Sequence, residues 1–549
     1  MGFMEFNLIA GGEAGHGLHT IEAILTELLF KLRLYFFSTR NYMSRIRGGH
    51  NFYMLRVAEH PVYALSGEQW DMLLAIDEES ERRHRGELRQ DGIFISPANV
   101  REIEKIAQED FGDPRASNAV VVGVILAAIG CARQAVQKTV GDEATWERLA
   151  KGFDTADAWT VSGKYPILPQ SKAAYHFDGN QALAFGAIMG GCRFMAGYPM
   201  TPATSIMTYF SQAALHMPVH FEQAEDEIAA VNMALGASYA GQRAMVATSG
   251  GGFALMQESV SLAGMTETPL VIIEAQRPGP STGLPTRTEQ GDLNFVLHSG
   301  QGEFPRAVFA PGSIEEAIDI ASRSLDSADR FQVPVFILTD QHFADSRQLV
   351  EEEFSLTLRS RAYDAPGLEG EPYLRYKITE DGVSPMAWPG LSDALVKVDS
   401  DEHNEEGTIT EDLSLRKRMV EKRLRKLEGL RVEARKPSFY GNRSARFIAI
   451  CWGSNRLVVE EAVDKLIREG MDVASLHFSQ VYPLTEAMVA DLDPARQRLM
   501  IVENNATGQF AGLLMRELGI LVKDHILKYN GECFTVRELR DRLKKIMEE

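Results

Sequence analysis

The chain of 549 residues has no run of about 18 apolar residues, so a transmembrane helix is not expected. Cysteine is scarce: Cys131, Cys192, Cys451 and Cys533 are scattered, with no CxxC pair. Iron–sulfur clusters need grouped thiolates and structural zinc sites usually show paired ligands, so neither is expected within this chain. All four cysteines are expected to be buried, reduced thiols, and any electron carrier must come on another chain. Basic charge is also short, with 57 Lys and Arg against 76 Asp and Glu and a net charge of −19. That balance argues against a nucleic-acid or anionic-membrane partner, because phosphate binding relies on excess cations. The N-terminus has no basic region before an apolar stretch, and Met1-Gly2 is followed by Phe6 where a myristoylation signal needs Ser or Thr. A cytoplasmic location is the expectation.

The composition present, 45% hydrophobic and 24% charged, suits a soluble chain of several domains at about 100–200 residues each. Phe6–Ala10 reads as a strand, residues 11–17 (GGEAGHG) as a glycine turn, and Leu18–Leu32 as a helix. Such a turn can present backbone N–H groups to a phosphate, or it can let helix and strand pack closely; both readings stand. The spacing is not GxGxxG, and no acid follows the next strand (Leu34–Thr39), which argues against a nicotinamide site. A second α/β unit begins near residue 176, with strands at Phe194–Ala196, Val219–Phe221, Ala244–Val246 and Leu270–Ile273. Residues 399–412 hold seven acids and no base, and precede a highly charged helical stretch. They read as a solvated linker and a surface helix, with His403 in solvent. A last α/β unit starts at Phe447–Ile450 and continues through Val473–Leu476 and Leu499–Val502.

The most informative stretch is Glu222–Ala230, in which four acids fall within six positions before an Ala-rich helix. Interaction with the helix dipole accounts for Glu225 and Asp226. It does not account for the small residues that follow, which imply close packing against another surface. Three further segments join it: Tyr198-Pro199-Met200-Thr201-Pro202, Thr248-Ser249-Gly250-Gly251-Gly252-Phe253, and Gln276–Asp292 with its run of Arg, Pro, Gly and Thr.

In this order and spacing, these segments resemble the α subunit of the 2-oxoacid:ferredoxin oxidoreductases, in the form with the γ domain fused in front. Ser44–Asn51 (SRIRGGHN) is similar to the γ-domain motif, Tyr376–Pro385 and Ile409–Asp412 to the family linker, and Val502–Gln509 to the last domain. The resemblance implies an α/β multidomain chain: a Rossmann-like γ domain over 1–170, a thiamine-diphosphate pyrimidine-binding domain over 176–350, a linker over 351–440, and a transketolase C-terminal-like domain over 441–549. It implies that Glu227 bonds N1′ of the aminopyrimidine, with Tyr198, Pro199, Ser249 and Gly250 around the cofactor. Thr201 and Arg277, with Thr286 close by, would hold the 2-oxoacid carboxylate, a task that suits the planar fork of arginine. Met200 and Pro278 depart from the residues of many relatives, which implies a pocket of different size and a differently bonded loop.

Thiamine diphosphate enzymes hold Mg2+ and the diphosphate through a GDG motif, and GDG occurs nowhere here. The resemblance therefore implies a separate β subunit carrying that motif, the Mg2+ and a [4Fe-4S] cluster with its cysteines. It also implies coenzyme A as co-substrate, ferredoxin as electron partner and an (αβ)2 assembly. The fused chain is similar to relatives acting on 2-oxoglutarate, and Arg47 would meet its distal carboxylate. Branched-chain, aryl or broad-range 2-oxoacids form the enzymatic alternative. A non-catalytic assembly scaffold is the alternative of another class, and it gives no reason for Glu227, Thr201 and Arg277 to occur together.

Overall fold

The computed structural model describes residues 4–43, 49–351, 354, 373–391 and 393–549. Arg47 and the rest of residues 44–48 lie outside the described residues. The chain divides into two compact units. The first comprises Met1–Phe177, Asp345–Phe354 and Phe534–Asp541; the second comprises Asp178–Ala344, Ser355–Cys533 and Arg542–Glu549.

In the first unit, a seven-stranded mixed sheet is built around the Glu5–Glu13 strand. That strand pairs antiparallel with His50–Ala58 and parallel with Trp70–Ala75. Helices Leu18–Lys31 and Ser117–Ala128 supply much of its core, the latter through Val120, Val122, Val124 and Ile125. The strand runs on to Glu13, and the glycine stretch permits close packing at two points. A Cβ on Gly11 would stand 2.8 Å from Ser80 Oγ, and Gly17 takes φ +83° beside Asn118.

The second unit contains two sheets. Its larger one has seven strands, among them Phe194–Gly197, Ala244–Thr248, Leu270–Gln276 and Pro334–Asp340 running parallel to one another. Leu270–Gln276 is paired on both edges and buried along its whole length, which explains its near-continuous apolar sequence. Two residues break that pattern, Glu274 and, at the end of the strand, Gln276, and only Glu274 is ionisable. The smaller sheet has five strands and is centred on Phe447–Trp452. A single apolar core joins the two sheets, with Phe253 and Phe336 from one and Trp452, Phe478 and Phe510 from the other.

Three expectations from the sequence are corrected. The charged stretch is indeed a helix, Leu413–Val432, with one face exposed, but its other face is not solvated, since Lys422, Arg423 and Lys426 are buried. Lys422 Nζ donates to both carboxylate oxygens of Glu267, at 2.7 and 2.9 Å, and Lys426 pairs with the same carboxylate. His403 is fully buried against the Tyr376 ring, with centroids 3.9 Å apart. Helical periodicity is weak here because the buried face is made of lysine stems that end on an acid. Of the four free cysteines, Cys192 and Cys451 are buried as expected, while Cys131 and Cys533 are partly exposed.

Candidate functional site

The chemistry-bearing segments meet at the C-terminal ends of the parallel strands of the second unit. The Phe194–Gly197 strand delivers residues 198–202, Ala244–Thr248 delivers the Ser249–Gly252 turn, and Leu270–Gln276 delivers Arg277. Ligand sites of open α/β sheets form at this end. Helix Glu227–Tyr239 adds its first residue, with Asp226 capping it by accepting from Ala229 N at 2.7 Å.

Glu227 is 4% exposed, and its Oε1 has no hydrogen-bond partner. The Gly252 position explains how the carboxylate fits. A Cβ there would lie 2.6 Å from Glu227 Oε1 and 2.2 Å from Thr248 Oγ1. Gly250 makes room in the same way for a second acid, since its Cβ would lie 2.5 Å from Asp292 Oδ2. Ser249 Oγ is fully buried and also lacks a partner. Glu225, the neighbouring acid, is exposed.

Arg277 and Thr201 are brought together, with Arg277 Nη1 donating to the Thr201 carbonyl oxygen at 2.7 Å. Arg277 Nε is buried without an acceptor. Burial lowers the Arg277 pKa, and the nearby Glu274 and Asp292 act against that shift. Thr286 is buried further along the same loop, whereas Tyr198 and Pro199 are exposed. Asn180 fixes the 198–202 turn from below, its Nδ2 donating to Pro202 O at 2.8 Å and to Ser205 Oγ at 2.7 Å.

The Arg277–Asp292 loop is held by the smaller sheet. Asn455 Nδ2 donates to Gln290 Oε1 at 2.8 Å, Gln290 Nε2 donates to Trp452 O at 3.0 Å, and Gln290 N donates to Asn504 O at 2.7 Å. Gln509 Nε2 adds a bond to Gly291 O at 2.6 Å. The Val502–Gln509 motif thus secures the loop that bears Arg277.

Sequence reasoning missed Glu274. It is completely buried, and burial together with Asp292 pushes its carboxyl well above the usual range. The signal was present, as a lone acid inside LVIIEAQ, but a strand reading treats that position only as core. Around the site, Ile228, Met233, Leu255 and Leu284 are exposed apolar side chains, and a Cβ on Gly236 would meet no atom of the described residues within 4 Å.

Comparison with known proteins agrees with this architecture. Residues 185–422 match the family model described as pyruvate flavodoxin/ferredoxin oxidoreductase, thiamine diphosphate-binding, and residues 7–156 match that of pyruvate ferredoxin/flavodoxin oxidoreductase. A 2-oxoacid:ferredoxin oxidoreductase subunit alpha of a Sulfolobus species is 31% identical, over 100% of this chain and 98% of its own length. The 2-oxoglutarate synthase subunit KorA of Methanothermobacter thermautotrophicus is 32% identical, over 68% of this chain and 98% of its own. Among solved structures, a 2-oxoglutarate:ferredoxin oxidoreductase from Magnetococcus marinus, with 2-oxoglutarate, coenzyme A and succinyl-CoA bound, superimposes with a TM-score of 0.90. The two are 26% identical, and the match covers 99% of this chain and 100% of that one. The chain belongs to the thiamine-diphosphate-dependent 2-oxoacid:ferredoxin oxidoreductases, as an α subunit with the γ-type domain at its N-terminal end.

Proposed function

We propose that this α subunit serves an enzyme converting 2-oxoglutarate, coenzyme A and oxidised ferredoxin to succinyl-CoA, carbon dioxide and reduced ferredoxin, or running the reverse. The whole-chain similarity to the Magnetococcus marinus enzyme, at a TM-score of 0.90, carries the reading. The KorA relatives, named as subunits of 2-oxoglutarate synthases, support it. A second reading, a broad-range 2-oxoacid enzyme, is favoured by one observation: the Sulfolobus and Sulfurisphaera tokodaii relatives, which span the full chain, are named only for 2-oxoacids.

The residues present fit the aminopyrimidine end of thiamine diphosphate. Glu227 offers a buried carboxylate oxygen without a partner, the atom needed to meet N1′ of the ring. The Ser249–Gly252 turn meets it through Gly252, Ser249 and Gly250 are assigned to the cofactor from the same turn, and Tyr198 and Pro199 are exposed at the rim. When bound, the cofactor supplies an electron sink that lets carbon dioxide leave the 2-oxoacid. The protein's part is to hold the N1′ proton at Glu227 and to fix the substrate carboxylate between Arg277 and Thr201, with Thr286 behind them. Carboxylate binding by the free part of the Arg277 fork adds charge-assisted hydrogen bonds that water cannot match in a closed site. Arg47 is assigned the distal carboxylate of 2-oxoglutarate.

The exposed apolar side chains around Glu227 support a second chain over the site. We assign that place to a β subunit bearing a GDG motif, Mg2+ and the [4Fe-4S] cluster, in an (αβ)2 assembly acting in the cytoplasm. The domain roles follow the ranges 1–170, 176–350, 351–440 and 441–549 given above. Among the described residues, no helix is long and apolar enough to cross a membrane, and no group of three His, Cys, Asp or Glu is placed to hold a metal.

The test is substrate discrimination in the α–β complex. Arg277→Ala should weaken 2-oxoglutarate and pyruvate alike, and Arg47→Ala should weaken 2-oxoglutarate alone. A lost charge-assisted bond of about 1.5–3 kcal/mol corresponds to roughly 10- to 150-fold in kcat/KM. Equal losses for both substrates in Arg47→Ala would favour the broad-range reading.

A further inference from the structure

Glu274 and Asp292 form a pair of carboxyl groups beside the arginine of the site. Glu274 is 0% exposed, and among the described residues neither of its carboxyl oxygens meets a donor. Asp292 is tied to the same side of the strand, its N–H donating to Gln276 Oε1 at 3.0 Å, two residues beyond Glu274, and its charge adds to the upward push on the Glu274 carboxyl. Two acceptors placed face to face in a dry interior repel unless a proton joins them. Asp292 likewise does not use its carboxylate as a cap. It occupies the N-cap position of helix Leu293–Leu297, yet its side chain makes no capping bond and lies against Gly250 instead.

Arg277 supplies the second observation. Both acids act on its charge, but among the described residues its one hydrogen bond goes to the Thr201 carbonyl, and it forms no ion pair with either carboxyl. A guanidinium beside two ionised carboxylates would be drawn onto them, because charge-assisted pairs are roughly twice as strong as neutral ones. Here Nε remains buried and unpartnered.

We propose that Glu274 and Asp292 hold a single proton between them, and that this acid pair positions Arg277, leaving its guanidinium open to an incoming carboxylate. The inference rests on the reading of Arg277 as the carboxylate clamp. Glu274 is the neutral donor and Asp292 the acceptor, so the pair carries one negative charge opposite one positive charge. Other groups facing the pair are Asp340, at the end of the Pro334–Asp340 strand, and Glu289, on the same loop as Asp292. Asp340 is engaged by Thr288 Oγ1 at 3.2 Å, by Phe343 N at 2.9 Å and by Ser454. Burial lifts the Glu274 carboxyl first and Asp292 adds to it, both favouring the protonated form. Loss of the shared proton as pH rises leaves a second negative charge that draws Arg277 away from the substrate. Glu274 and Asp292 are thus positioning residues.

The experiment uses the α–β complex with thiamine diphosphate and reads two signals. Infrared difference spectroscopy at neutral pH should show the C=O stretch of a buried protonated carboxyl. Glu274→Gln should abolish that band, and Asp292→Asn should shift its frequency by replacing the acceptor. In steady-state assays, Glu274→Ala leaves Asp292 free to seize Arg277, raising KM for the 2-oxoacid by about 10-fold with a smaller change in kcat. Glu274→Gln retains a neutral donor, should restore KM to within about 3-fold of the parent, and should remove the alkaline rise of KM. No infrared band in the parent complex, or a band unaffected by Glu274→Gln, overturns the shared proton whatever the kinetics show. An Arg277→Ala variant with unchanged KM would instead remove the clamp reading and leave the band in place.

Discussion

Glu227 and Arg277 each present a polar atom that the fold leaves without a partner, Oε1 of the first and Nε of the second. Buried polar atoms are ordinarily paired, so two orphans at the ends of adjacent segments mark a place where a ligand completes the bonding. For Glu227, exchange to Gln keeps the shape and removes the acid. In the assembled complex, exchange of the thiazolium C2 proton should slow by about 10²–10⁴-fold, the usual value of positioned acid–base help. Proton exchange followed by NMR provides the check, and an unchanged rate moves the role away from Glu227. Glu225, the next acid in sequence, is exposed and could not supply a dry carboxylate without a covering chain. As candidates, Glu227, Thr201 and Arg277 were legible because the residues sit in long motifs. Glu274 was not, because its significance lies in Asp292, a neighbour brought to it only by folding.

The charged helix Leu413–Val432 shows the same limit for a whole element. Its sequence reads as a solvent face, yet it packs through Lys422 and Lys426 onto the single carboxylate of Glu267, with Arg375 donating to the Glu267 carbonyl at 2.7 Å. Periodicity locates apolar stripes and is blind to a buried face made of cations that meet one acid. Breaking a buried pair by removing one partner costs about 3–5 kcal/mol, because the other charge is left uncompensated. Glu267→Gln should lose that order of stability in denaturant unfolding. Glu109→Gln, which breaks the exposed pair with Lys105, should lose at most about 1 kcal/mol. The pH dependence follows from the same contact. Burial pushes the Glu267 carboxyl up, but Lys426 and Lys422 pull it down further, to a net value below the ordinary range. Its contribution is therefore complete above the ordinary carboxylate pKa and is lost as pH falls below it. The stability gap between the parent and Glu267→Gln should narrow on acidification. A gap that widens would contradict the assignment.

At the scale of the molecule, the α/β alternation foretold parallel strands with helices between them, and the Leu270–Gln276 and Pro334–Asp340 strands pair in that way. The sequence did not reveal that the last sheet would grip the Arg277 loop, because Gln290 is separated from Asn455 and Asn504 by more than a hundred residues of chain. Nor did it show that Arg347–Val350 would join the sheet of the first unit. The scattered cysteines and the missing GDG motif lead to one prediction for the isolated chain. Purified alone, it should bind no iron and catalyse no 2-oxoacid oxidation, and a brown, active preparation of this polypeptide by itself would contradict that. The most direct measurement is CoA-dependent reduction of a one-electron acceptor by 2-oxoglutarate, in a complex of this chain with a partner bearing GDG and the cluster cysteines. The expected result is turnover that requires both chains, thiamine diphosphate and coenzyme A, that favours 2-oxoglutarate over pyruvate, and that collapses in Glu227→Gln. Equal rates with Glu227→Gln, or no turnover of any 2-oxoacid by an intact complex, would contradict the account.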